Sequence, residues 1–175
     1  MKTRKLTLCA LFAAVAVAVN AVEGLIPTAA FMPPGAKLGI SNVVTMFVSL
    51  RIGLLEALSV ALVKSLFVLA ARGFSAFVMS LSGGIVSTLA CFFMLKYCKK
   101  IFGFVGVGIA GALLHNCAQV LVCMTAAGKA VLSYIPFLAV ASVVTGTFSG
   151  LLLSLTDRYF PKKLLGEDNT NEKQN

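Results

Sequence analysis

Two sets of polar side chains sit where an oily sequence makes them expensive. Lys64 lies deep in the mostly apolar run Gly53 to Ala71. An ammonium in mid-membrane costs about 2.5–3.5 kcal/mol on insertion scales. The nearer end of the run is seven residues on, roughly 10 Å along a helix, so snorkelling relieves only part of that cost. Lys64 therefore points to a polar interior, either as a group that binds an anionic ligand or as an internal hydrogen-bonded strut. Asn42 and Ser41, from the preceding apolar segment, are its candidate neighbours.

The second set is Gly111-Ala-Leu-Leu-His115-Asn116-Cys-Ala-Gln119. His115 and Gln119 are four apart and share a helix face, which Gly108, Gly111 and Ala112 continue towards the N-terminus. A polar cluster above a small-residue groove suits a pocket between close-packed helices. His115 is the only histidine. Three roles remain open for it: ligand contact, a structural hydrogen bond, or metal ligation, the last without a second strong ligand nearby in sequence. Ser80, Ser82, Gly83, Gly84 and Ser87 mark a further segment where backbones approach closely or bend.

The elements that position these groups follow from composition. The chain has 175 residues, 59% of them hydrophobic and 12% charged, with a mean hydropathy of +0.96. These values point to a bilayer rather than a water-soluble core, and to one domain. The net charge of +9 does not read as a nucleic-acid footprint, because the basic residues cluster at the ends of apolar runs. Five cysteines lie in or beside apolar runs without zinc-type spacing and read as small membrane-core residues. No cofactor is implied.

Six apolar segments are expected, at about 6–22, 38–50, 53–71, 73–95, 101–127 and 130–156, within a transmembrane domain over 1–160. The fold class is thus all-α, a polytopic six-helix bundle. The second segment is short, and reads as a tilted, irregular or re-entrant span. With the N-terminus inside, eleven basic residues fall on the inner side and three (Lys37, Arg72, Lys129) on the outer, as the positive-inside rule asks. That places both termini in the cytoplasm. The basic start Lys2-Thr-Arg-Lys5 mimics a signal peptide but is expected to begin a retained helix. The polar tail 161–175 reads as disordered.

The loop Glu23 to Lys37 contains Pro27, Pro33 and Pro34 with several apolar residues. It reads either as a lid over the bundle or as an ordinary interfacial connection. Ala10, Ala14 and Ala18 form a small-residue stripe on the first helix, and Gly146-Thr-Phe-Ser-Gly150 is a GxxxG; each reads first as an internal packing seam. There is no Walker-type loop, no paired carboxylates and no aspartate-rich run to hold magnesium diphosphate. The chain is therefore not expected to be an enzyme.

Gly35-Ala-Lys37-Leu-Gly39-Ile-Ser-Asn42, Glu56-Ala, Ser82-Gly-Gly84 and His115-Asn116-Cys-Ala-Gln119 together resemble the Gx transporter family, also labelled heptaprenyl diphosphate synthase component I. The resemblance covers about residues 6–156. It implies a bundle similar to the substrate-binding S-components of energy-coupling-factor transporters. In those, a vitamin-like ligand is captured from outside, a small-residue stripe on the first helix docks a transmembrane scaffold, and separate ATPases supply energy. The candidate ligand-binding set is then Lys37, Asn42, Lys64, His115, Asn116 and Gln119, with Ala10, Ala14 and Ala18 for docking. Expected partners are membrane lipid, a small-molecule ligand, the scaffold and the ATPases. The alternative is a nonenzymatic membrane partner in isoprenoid, quinone or flavin-linked electron-transfer metabolism.

Overall fold

The computed structural model describes residues 2–25 and 39–159. They are helical, with no strand among them. Helix α1 spans Lys2–Gly24, α2 Asn42–Arg51, α3 Leu54–Arg72 and α4 Phe74–Phe93. A π-helical turn, Met94–Cys98, leads into α5, Lys99–Ala127. A 3-10 segment, Gly128–Tyr134, leads into α6, Ile135–Tyr159.

Four stretches are long and apolar enough to cross a membrane: Thr3–Gly24, Leu54–Arg72, Phe74–Cys98 and Ile101–Tyr159, the last holding most of α5 and all of α6. Helix α2 has ten residues, about 15 Å of rise, which is half the hydrocarbon thickness. The six expected spans are thus found in part: five helices have crossing length, and α2, on the short segment 38–50, does not. The break expected near 96–100 also moves. The helix runs on through the basic cluster and breaks at Gly103, whose φ of 59° lies in the left-handed region that favours glycine.

The bundle is turned inside out relative to a soluble protein. Leu62, Leu66, Val140, Val144 and Phe148 are exposed, while Asn20, Glu23, Lys64, His115 and Gln119 are buried. That distribution is what an apolar solvent demands. Two apolar clusters flank the buried polar layer. One joins Phe12, Phe47, Val60, Cys91, Val107 and Leu153. The other joins Met79, Val120, Cys123, Val131 and Leu138.

Glycine sets the closest helix contact. A Cβ on Gly108 would lie 2.2 Å from the Gly146 carbonyl oxygen, and one on Gly150 2.6 Å from the Val105 Cα. The GxxxG is thus an internal α5–α6 seam, as expected, with main chain against main chain. Two ion pairs gather one end of the bundle. Arg51 Nε lies 2.6 Å from Asp157 Oδ1, and Lys5 Nζ lies 3.9 Å from Glu56. The start of α1, the α2–α3 junction and the end of α6 therefore lie together. Arg51 is thus used within the fold, tying the end of α2 to the end of α6.

Candidate functional site

The polar layer is assembled from five helices and the turn before α2. Lys64, on α3, is 1% exposed and its Nζ donates to Asn42 Oδ1 at 2.6 Å. Asn42 is the first residue of α2, so the ammonium is met where the shorter helix begins. A hydrogen bond to a charged group is worth about 1.5–3 kcal/mol, comparable to the insertion cost of the lysine.

On α5, His115 and Gln119 meet as their spacing requires: Gln119 Nε2 and His115 Nε2 are 2.9 Å apart. The opposite edge of the ring lies against Gly83, where a Cβ would come 2.7 Å from Cε1 and Nδ1. Nδ1 faces the Gly83 backbone without reaching good hydrogen-bond geometry. A proton on Nδ1 leaves Nε2 as the acceptor and the Gln119 amide as its donor. Gln119 Oε1 is then a buried acceptor without a hydrogen-bond partner. Such an atom costs about 1–3 kcal/mol unless something fills the need.

Glu23 is the residue that sequence reasoning missed. It read only as the start of the loop Glu23 to Lys37, yet it is 4% exposed at the last turn of α1. Its carboxylate accepts from the backbone N–H groups of Gly39, Ile40 (3.3 Å) and Ser41 (3.4 Å). Gly39 makes that cradle possible: its φ is +83°, and a Cβ there would lie 2.9 Å from the Asn42 amide and 3.2 Å from the His115 ring. Asn20, one turn before Glu23, donates to Ser41 Oγ at 3.4 Å. The sequence carried one signal for this pair, two polar residues three apart at the end of an apolar run.

Glu23, Lys64, His115 and Gln119 line one small cavity, together with Asn20, Ser41 and Ser80. Its volume is about 10 Å³, enough for a single water. Asn42 reaches it through its hydrogen bond to Lys64, while Asn116 turns away. Asn116 Nδ2 donates instead to Ser142 Oγ on α6 at 2.7 Å, beside an apolar groove of about 350 Å³ between α5 and α6. Lys37 lies outside the described residues. Ala10, Ala14 and Ala18 lie on the exposed face of α1. Among the described residues, no three His, Cys, Asp or Glu side chains gather as a metal site would need.

The buried polar layer, the apolar exterior and the four crossing-length stretches describe a membrane protein. No curated protein and no solved structure matches the chain at a significant level. A family profile described as heptaprenyl diphosphate synthase component I matches residues 12–156, a range that holds every described residue lining the cavity. The chain belongs to the heptaprenyl diphosphate synthase component I family.

Proposed function

We propose that the protein is an integral membrane subunit that captures a small ligand for transport energised by separate ATPase subunits, in the manner of an energy-coupling-factor S-component. The observation that carries this reading is the convergence of Lys64, Glu23, His115 and Gln119 on one small buried-walled cavity. A bundle that needed only stability would fill this layer with apolar side chains, because buried ionic groups are weak stabilisers. Gln119 Oε1 is an acceptor that a ligand could satisfy.

The subunit sits in the cytoplasmic membrane with both ends inside, following the basic bias of the inner segments. In the proposed topology the chain returns between α1 and α3 as the second of six traverses. Lys37 and Asn116 stay in the proposed ligand set as sequence expectations. Ala10, Ala14 and Ala18 would offer a transmembrane scaffold subunit a strip of small side chains, flanked by the exposed Leu11 and Val15.

Native mass spectrometry of gently extracted protein tests the reading. It expects a bound small molecule, with scaffold and ATPase subunits alongside. Bare protein, together with unchanged uptake in Lys64→Ala cells, overturns it.

A second reading is a nonenzymatic membrane partner in isoprenoid, quinone or flavin-linked electron-transfer metabolism. Two observations favour it: the family's description, and a cavity of about 10 Å³ that admits a water and no vitamin-sized molecule as it stands. Recovery with a prenyl synthase or redox protein, and without ATPase subunits, would select this reading.

A further inference from the structure

The sequence offered Lys64 as a lone positive charge, either an anion site or an internal hydrogen-bonded strut. The cavity has a different balance. Lys64 contributes an ammonium and Glu23 a carboxylate, while the other described lining groups are amides, hydroxyls, the imidazole and apolar side chains. The Glu23 carboxylate already fills the cradle of N–H groups from residues 39–41, which is the feature best suited to hold an anion.

We propose that Glu23 is an internal anion that occupies this cradle and restricts the cavity to net-neutral polar ligands, uncharged or zwitterionic, against free carboxylates and phosphates. The inference rests on the capture reading and narrows its ligand class.

The physical reason is charge balance in a medium of low dielectric. With Glu23 in place, a free anion would give the described lining, which holds one ammonium and one carboxylate, a net negative charge. Uncompensated charge away from water is among the most costly states a protein can hold. A zwitterion adds no net charge, since its anionic end can face Lys64 and its donor end can satisfy Gln119 Oε1. Expelling Glu23 from the cradle would only move the unbalanced carboxylate elsewhere in the bundle. Glu23 is thus a specificity-determining residue set by its charge, with Lys64 as its counterpart across the same cavity.

Chemical rescue tests this with acetate and inorganic phosphate as probes. Thermal unfolding of the detergent-extracted full chain is followed in acetate or phosphate, against chloride at equal ionic strength. Wild type is expected to show no anion-specific shift. Glu23→Ala vacates space for an acetate beside three free N–H groups, and should regain several degrees in acetate. Adding Lys64→Met to that variant should abolish the gain. Glu23→Gln, which keeps the volume and removes the charge, guards against misfolding of the alanine variant; it should bind phosphate or acetate at least ten-fold more tightly than wild type. Wild type stabilised by either anion overturns the proposal, as does a folded Glu23→Gln protein with no gain in anion binding. Failure of the capture reading would appear elsewhere, as absent ligand and unchanged uptake, and would leave the anion shifts as they are.

Discussion

The Lys64 ammonium and the Asn42 side-chain oxygen lie 2.6 Å apart, which ties the middle of α3 to the first residue of α2. The pair is buried on both sides, so the hydrogen bond stands in for water that neither group can reach. It also means that a ten-residue helix, too short to cross the bilayer, starts against the charged layer of the bundle.

Asn42→Ala should therefore destabilise the bundle by about 1.5–3 kcal/mol, the usual worth of a hydrogen bond to a charged group. Lys64→Met is expected to cost more, about 3–5 kcal/mol, because it leaves the buried Glu23 carboxylate without its counterpart in the same cavity. Thermal unfolding in detergent should place Lys64→Met below Asn42→Ala. The reverse order would mean that the two charges do not balance each other.

Gly83→Ala should displace His115, since the new methyl would lie 2.7 Å from the ring. Forced overpacking of this kind costs about 1–3 kcal/mol. Combining it with His115→Ala should recover most of that loss, because the clash loses its second partner. A double-mutant cycle measures the coupling, and additive effects would rule out the contact.

The α5–α6 seam and the α3–α4 turn make a contrasting pair of glycines. Gly108→Ala drives a methyl into the Gly146 and Gly150 backbone, which cannot move aside as a flexible side chain would. A loss above about 3 kcal/mol is expected, at the top of the overpacking range. Gly73→Ala meets nothing within 4 Å and pays only for its φ of +88°, about 1–2 kcal/mol. Equal melting temperatures for the two variants would contradict the close approach of the helices.

Of the two ion pairs, only one should matter to stability. Arg51 and Asp157 are 12% and 20% exposed at 2.6 Å, and Arg51 Nη2 also donates to the Asp157 carbonyl at 3.0 Å. Arg51→Ala is expected to cost about 1–3 kcal/mol, below the value for a fully buried pair. Lys5→Ala, at 3.9 Å with the lysine 55% exposed, should fall within about 0.5 kcal/mol of wild type. Raising the salt concentration should weaken the second pair far more than the first.

Ala14→Trp addresses the exposed stripe on α1. The side chain points away from the bundle, so the melting temperature should hold within a few degrees. Recovery of a scaffold subunit with the tagged protein should fall sharply if this face docks one. Undiminished recovery would remove Ala10, Ala14 and Ala18 from the proposed interface.

Apolar run length and basic clustering made the helices and the membrane environment legible, because both follow from the local cost of exposing peptide or charge to lipid. The same reasoning found Lys64, since one ammonium in an oily run is conspicuous wherever it points. His115 and Gln119 were paired by their four-residue spacing, and the Gly146–Gly150 seam by its motif. The membrane role of segment 38–50 was harder to read. Its hydropathy is that of a short span, while the helix that forms begins only at Asn42.

Tertiary structure alone decided what the polar residues meet. Nothing local tells Asn116 to bond to Ser142 on α6 while its neighbour His115 turns to Gly83 on α4. Nothing local places Glu23 in the cavity of Lys64, because the two are 41 positions apart and come together only when α1 packs on α3. Side-chain type and spacing fix which groups must avoid lipid. Which of them share an enclosure, and whether their charges cancel there, depends on distances that only the packed helices set.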